Sequence, residues 1–239
     1  GAAAQPPATP APAKTTDPLR AADPLGAMLS DAKAAFGNVR DYSCTFTRQE
    51  RVNGVLGEEQ VGELKARTNP VSLAVRLARP VAVTGLSAVY VAGKRADQMK
   101  VRNPAAKSLS GFTLVSLDAP NAFPAGRHAV TGYGVGAVLD RIAKIATVEK
   151  ALNNQVEVYA TDFRFDNKPV TRYEILTRRP HTHRYAHKML VYVDAATKLP
   201  VRWEAYDAPR PGTTTGDLLE AHSYSDLRLN VGVGDAAFE

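Results

Sequence analysis

The chain has no second cysteine, so Cys44 cannot close an internal disulfide and no thiol pair exists to hold a metal. No apolar run approaches the roughly eighteen residues that a membrane helix needs, and no basic, apolar, then small-residue signal is visible. HExxH, paired CxxC, Walker and GxSxG motifs are all missing, which removes the usual zinc-peptidase, nucleotide and serine-hydrolase readings. Charge is also modest. Lys+Arg 30 against Asp+Glu 24 leaves a net +6, and the basic residues are scattered, with no aromatic-interleaved stripe, so a nucleic-acid partner is excluded. There is no βαβ alternation and no blade-length repeat, which argues against doubly wound folds and propellers.

What is present is 239 residues with 44% hydrophobic composition, enough for one substantial core. Residues 1–23, GAAAQPPATPAPAKTTDPLRAAD, are rich in Pro, Ala and Thr and lack aromatics, a composition that cannot bury enough surface to order itself. They read as a disordered leader or tether of an exported protein. A single domain is expected over residues 24–239, with periplasmic or cell-envelope localisation.

Between Pro24 and Phe36 the residues Leu25, Met28, Leu29, Ala32 and Phe36 recur at helical spacing after a potential cap at Asp23. The period then changes to two. DYSCTFTRQERV and VLGEEQVGELKAR flank Asn53-Gly54, a dipeptide suited to the positive φ angles of a tight hairpin. Strand-like runs follow to residue 118, suggesting a meander, and a second helical stripe, Val138, Leu139, Ile142, Ile145, Val148 and Leu152, lies within 134–152. Strands resume to the C-terminus, giving about ten strands and two helices. This inventory fits a sandwich, a closed barrel, or a strongly curved open sheet with helices on its concave side.

Candidate chemistry is sparse. HTHRYAH places His181, His183 and His187 on one face of an extended chain, but a straight strand supplies tetrahedral zinc ligands poorly. His183 and His187 are therefore candidates only for a third reading, a histidine-metal hydrolase, and solvated loop histidines leading to a strand are preferred. Gly132-Tyr133-Gly134-Val135-Gly136 reads as a tight strand-to-helix entry rather than an anion loop. Asp162, Asp166 and Glu174 read as the polar faces of exposed strands, and Cys44, close to Phe46, as a buried structural thiol.

The apolar pattern says more. Bulky residues occupy alternate positions in several strands: Leu73, Val75 and Leu77, Val89 and Val91, Leu190 and Tyr192, and Trp203. The other strand faces are partly apolar too, so two faces need covering, as in a sheet lining a cavity or a helix-filled groove. These eight residues are the candidate ligand lining, with helix packing as the alternative.

The C-terminal run HKMLVYVDAATKLPVRWEAYD, followed by a loop, a strand and NVGVGDAAF, carries a spacing set by Asp194, Leu199, Pro200, Tyr206, Asp207, Asn230, Gly232, Asp235 and Phe238. It resembles the lipoprotein-localisation-factor-like superfamily of the LolA and LolB carriers. With DYSCTFTRQERVNGVLGEEQ, it resembles more closely an uncharacterised family of exported bacterial proteins within that superfamily. The resemblance implies an α+β, mainly antiparallel β fold: an unclosed, strongly curved barrel with two helices against its concave face, used by the better-known relatives to hold acyl chains. One departure stands out. Arg48, Glu50, Arg76, Arg172 and Glu174 interrupt strands that a carrier of aliphatic chains would keep free of charge. Any that point inward imply a polar-headed ligand or an interior filled by protein.

The expected function is accordingly a non-enzymatic envelope protein, without cofactor, that binds a lipid or other amphiphile in the concave face as a carrier. The alternative is an interaction module with a filled barrel that docks to another envelope protein.

Overall fold

The computed structural model describes residues 23–106, 111–117, 119, 123, 126–152, 156–177 and 184–239. The expected leader, apart from Asp23, and the histidines His181 and His183 lie outside these residues.

The first helix, α1 (Pro24–Phe36), begins where the spacing places it. The Asp23 carboxylate accepts from the Gly26 N–H at 2.8 Å, and Pro24 fills the first helical position, where no N–H is needed. Leu25, Met28, Leu29 and Ala32 form its buried face. The second helix, α2 (Val135–Ala151), buries Val138, Leu139, Ile142 and Ile145. Its N-terminus has a side-chain partner from far along the chain: the Tyr42 hydroxyl accepts from the Val135 N–H at 2.8 Å. The glycine-rich stretch is entered from a 3₁₀ turn (Val130–Tyr133) and continues through the Gly134 cap into the helix, where a direct strand-to-helix entry was expected.

Among the described residues twelve strands form one antiparallel sheet: β1 (Asp41–Val52), β2 (Val55–Leu56), β3 (Gln60–Thr68), β4 (Val71–Arg79), β5 (Ser87–Val91), β6 (Gln98–Arg102), β7 (Thr113–Ser116), β8 (Val156–Phe165), β9 (Lys168–Thr177), β10 (Lys188–Asp194), β11 (Pro200–Tyr206) and β12 (Leu218–Leu229). The run expected as one strand from Val55 to Arg67 is split, because the Gly57 N–H turns back to the Glu50 carbonyl at 3.0 Å and Glu58 and Glu59 face solvent. Asn53 (φ 51°) and Gly54 (φ 80°) form the hairpin turn between β1 and β2.

The strand order is β7-β6-β5-β4-β3-β1-β12-β11-β10-β9-β8, with β2 attached to β1. Two meanders therefore join through the central pair β1 and β12, and the edges β7 and β8 remain unpaired with each other. The sheet is an unclosed, curled half-barrel, as the resemblance implied. Because β7 and β8 are consecutive in the chain, the connection between them must return from one edge to the other, and α2 lies on it. Both helices share the core formed by the concave face.

That face is densely filled. Phe46, Tyr133, Trp203 and Tyr224 are almost wholly buried there with the apolar stripes of α1 and α2. Phe46 stacks on its cross-strand partner Tyr224 at a ring separation of 5.7 Å. Cys44 is buried in the same core, and its thiol is pushed up to about 12 by burial, with the Glu63 charge adding to the effect.

The residues of the C-terminal pattern are structural. The Asp194 carboxylate accepts from the backbone N–H groups of Ala196 (3.0 Å) and Thr197 (2.7 Å), closing the turn before Leu199 and Pro200. The Asn230 side chain accepts from the Arg40 N–H at 2.7 Å, and Gly232, at φ 73°, donates its N–H to Asp41 at 2.9 Å. Asp235 pairs with Arg67 at 2.6 Å, and the Arg67 guanidinium lies 5.0 Å from the Phe238 ring centroid.

Candidate functional site

Along β1, Tyr42, Cys44 and Phe46 set the inward parity, and Arg48 and Glu50 continue it. Along β12, Tyr224 sets the parity shared by His222 and Glu220. The register then brings charge to charge: Arg48 opposes His222, and Glu50 opposes Glu220. All four are buried, with Glu220 and His222 at 0% exposure, in a region where an unpaired charge would be costly.

Each carboxylate is surrounded by donors. Glu50 receives the His222 Nε2–H at 2.7 Å and the Arg127 backbone N–H at 2.8 Å, and Arg48 Nη1 lies 3.6 Å away. Glu220 receives the Trp203 indole N–H at 2.8 Å and the Tyr185 hydroxyl, and it contacts His128 Nε2. Arg127 and Arg141 approach Glu220 to 3.7 and 4.0 Å. Burial alone would raise both carboxyl groups. The hydrogen bonds and positive charges outweigh it, so Glu50 and Glu220 are held below the usual carboxylate range.

His222 is also lowered, but by burial, which disfavours its charged form. Glu50 only partly opposes this, and the ring Nδ1 has no hydrogen-bond partner among the described residues. The ring is therefore neutral, with its proton on Nε2 and directed to Glu50. Arg48 is anchored by Gln60 at 2.8 Å, contacts the Tyr133 hydroxyl and stacks 4.6 Å from the Tyr133 ring centroid. Gly126 seals this layer, since a Cβ there would lie 2.6 Å from both Glu50 Oε2 and the Tyr133 hydroxyl.

Ligand atoms of Glu50, His128 and Glu220 lie within 4.8 Å of one another, close enough to surround a cation. Three guanidinium groups already compensate the two carboxylates, and the histidine nitrogen is committed to Glu220. The donor set suits a proton-satisfied carboxylate pair better than a metal.

On the solvent side of Glu220, a cavity of about 660 Å³ opens between α2 and the segments carrying Arg127 and Tyr185. Arg127, Arg141, Lys144 and Arg184 line it together with the acidic Asp140 and Glu149. Its remaining wall includes apolar Ala137, Ile145 and Val148 from α2. The volume is that of a small-molecule or lipid-head-group site.

None of the eight residues expected to line a ligand site borders this cavity. Leu73, Val75, Leu77 and Trp203 come together in the concave core under the helices. Leu190 and Tyr192 point to the opposite face and pack with Val170 and Val201. Val201 and Trp203 share sequence parity but not a face, because Tyr192 pairs with Arg202 and Val193 with Pro200, leaving Val201 in a bulge. Val91 is buried and Val89 half-buried on the side of β5 away from Ala88 and Tyr90.

Of the five charges that interrupt strands, Arg48 and Glu50 face the core, while Arg76 is exposed and Arg172 and Glu174 are half-buried. His187 contributes backbone contacts at the start of β10: its carbonyl accepts from Thr177 and its N–H donates to Tyr206. His128, Glu220, His222 and the four cavity cations were not among the site residues expected from the sequence. The legible signal was the pair of i, i+2 polar sets, Arg48 with Glu50 and Glu220 with His222, each continuing an apolar face.

The family described as "Protein of unknown function (DUF1571)" matches residues 39–239, and the chain belongs to that family. No curated protein matches the sequence. Among solved structures, an uncharacterised conserved protein from Thermus thermophilus is 11% identical, with 89% of this chain and 91% of that one covered, at a TM-score of 0.50. MucB in the MucA/MucB complex of Pseudomonas aeruginosa is 13% identical, with 90% of this chain and 60% of that one covered, at a TM-score of 0.51. A LolA superfamily protein from Nitrosomonas europaea is 11% identical, covering 90% and 97%, at a TM-score of 0.36. At these identities the likeness of the first two concerns the fold alone, and the chain is a half-barrel within a family of unknown function.

Proposed function

We propose that this member of the DUF1571 family is a non-enzymatic cell-envelope protein that binds an amphiphile, with the polar end in the cavity beside α2 and the apolar end along that helix. The observation that carries this reading is the cavity itself, where cationic Arg141 and Lys144 and apolar Ala137, Ile145 and Val148 share one face of α2, joined by Arg127 and Arg184 from other segments. Burial of an acyl chain contributes about 0.8 kcal/mol per methylene, so a short apolar contact supplies useful affinity without a reactive group. The buried carboxylates support a binding role over catalysis, because their side chains are 4% and 0% exposed and saturated with donors. Among the described residues no helix is long and apolar enough to cross a membrane.

Native mass spectrometry of protein isolated from a bacterial envelope, followed by solvent extraction, tests the reading. A reproducible lipid-sized adduct that disappears in Ala137→Trp, which fills the cavity, is expected. A clean apo mass after incubation with envelope lipids would refute it.

One observation favours a second reading. Leu73, Val75, Leu77 and Trp203 pack against the helices and leave the deep concave face occupied by the protein's own side chains. A filled half-barrel suits a protein-docking module, and MucB, which shares the fold, is seen in complex with MucA. In that case the same experiment yields no adduct, and envelope proteins are recovered by crosslinking to the edge strands β7 or β8.

A further inference from the structure

We propose that the inner wall of this cavity is a receptor for a phosphate-type oxyanion, so that the amphiphile bound there carries an anionic phosphate head group. The inference deepens the amphiphile reading and rests on it for the ligand's apolar part.

Two arginines in the cavity wall are held in place by the protein's own acceptors. Arg184 has a side chain only 6% exposed. Its Nε bonds Glu149 at 3.2 Å and its Nη1 bonds the Thr177 carbonyl at 3.0 Å. Its Nη2 is buried without a partner among the described residues. Arg141, with 11% side-chain exposure, repeats the pattern from α2: Nη2 bonds the Gly132 carbonyl at 2.9 Å, while Nη1 is buried without a hydrogen bond among the described residues and stands 4.0 Å from Glu220. Both residues line the cavity. The two nitrogens lie just beneath the cavity surface, and the bonds made by the rest of each guanidinium hold two positive charges in fixed positions against it.

The acids on the same wall do not cancel this. Asp140 is 80% exposed and pairs with Lys33 at 3.7 Å. Glu149 is engaged by Arg184, and Glu220 behind the wall already accepts from Trp203 and Tyr185. Lys144, three residues beyond Arg141 on α2, and Arg127 from the opposite side add charge without needing a fixed geometry. Fixed guanidinium charges with an ammonium nearby suit a multiply charged oxyanion better than a neutral polar head. Free phosphate and a phospholipid head share that chemistry, and the attached chain distinguishes them.

The test compares three probes on the full chain by isothermal titration calorimetry: dioctanoyl phosphatidic acid, dioctanoylglycerol and inorganic phosphate. Phosphatidic acid is expected to bind at least about tenfold more tightly than the uncharged diacylglycerol, the scale of a charge-assisted hydrogen bond. That ratio is expected to fall toward one in Arg141→Gln and to shrink in the exposed-site variant Lys144→Gln, which leaves the buried network untouched. Circular dichroism establishes that each variant is folded. Equal affinity for the two lipids, with no effect of either variant, would overturn the oxyanion site and leave the amphiphile reading standing. Binding of phosphate as tight as that of phosphatidic acid, with no uptake of diacylglycerol, would support the oxyanion site and overturn the amphiphile reading. Failure of all three probes to bind would remove both.

Discussion

Glu50 and Glu220 are cross-strand neighbours on β1 and β12, and both carboxylates point into the core. Like charges placed directly opposite repel, and here the repulsion is offset by Arg48, Arg127, Arg141 and the N–H donors of His222 and Trp203. The pair therefore ties the two meanders together at the centre of the sheet. Glu220 also stands 4.0 Å from Arg141, one of the residues that line the cavity.

Removing one charge should be costly. Glu220→Gln keeps the volume but leaves Arg127 and Arg141 without their shared counter-charge, and a loss of about 3–5 kcal/mol in urea unfolding is expected. A loss within experimental error of zero would mean that the cluster does not hold the sheet.

Acid should destabilise the protein in two stages. The folded-state His222 is depressed below its ordinary 6.5, so the unfolded chain takes up that proton first, and stability falls as the pH drops below about 6.5. Glu50 and Glu220 are both depressed below 4.5, so their contribution is present above that value and is lost as pH falls further through the folded-state range. Urea midpoints measured at pH 7.5, 5.5 and 4.0 should decrease in that order, and His222→Gln should flatten the first step. An unchanged midpoint between the two higher values would contradict the neutral, Nε2-protonated ring.

The indole of Trp203 combines two roles: it fills the concave core and donates to Glu220. Trp203→Phe removes the donor and part of the volume. A cost of about 2–4 kcal/mol in thermal or urea unfolding is expected from the lost hydrogen bond and the void together. The combination with Glu220→Gln should cost less than the sum of the single changes, because the two groups share one interaction.

Gly126 has no room for a side chain. Gly126→Ala places a methyl group 2.6 Å from Glu50 Oε2 and 2.7 Å from Arg48 Nη1, and the layer must shift to admit it. Overpacking of this kind costs about 1–3 kcal/mol, readable as a lower melting temperature with unchanged far-ultraviolet circular dichroism. A variant as stable as the parent would show that the loop moves freely away from the cluster.

Much of the frame was legible because its determinants are local. The helical stripe from Leu25 to Phe36 with its Asp23 cap, the apolar spacing of α2, and the Asn53-Gly54 hairpin each act within a few residues, so the sequence alone determines them. The spacing from Asp194 to Phe238 pointed to the half-barrel because turn-forming acceptors and a positive-φ glycine are needed at fixed offsets along the chain. Side-chain direction was harder to read. Leu190 and Tyr192 were grouped with Trp203, but they face the other way, and the bulge at Val201 reverses parity within a single strand.

The site was decided by tertiary structure. Glu50 and His222 lie 172 positions apart, and Arg48 and Tyr133 are separated by 85. Alternation along β1 and β12 shows only that each strand carries polar residues in an apolar row. Whether those residues meet depends on the register between the first and last strands, which is set by the packing of the whole sheet around α1 and α2. The sequence by itself determined the elements and their turns through short-range sterics and periodicity. The pairing of β1 with β12, the carboxylate cluster and the cationic cavity beside it arise from long-range register, which no local pattern specifies.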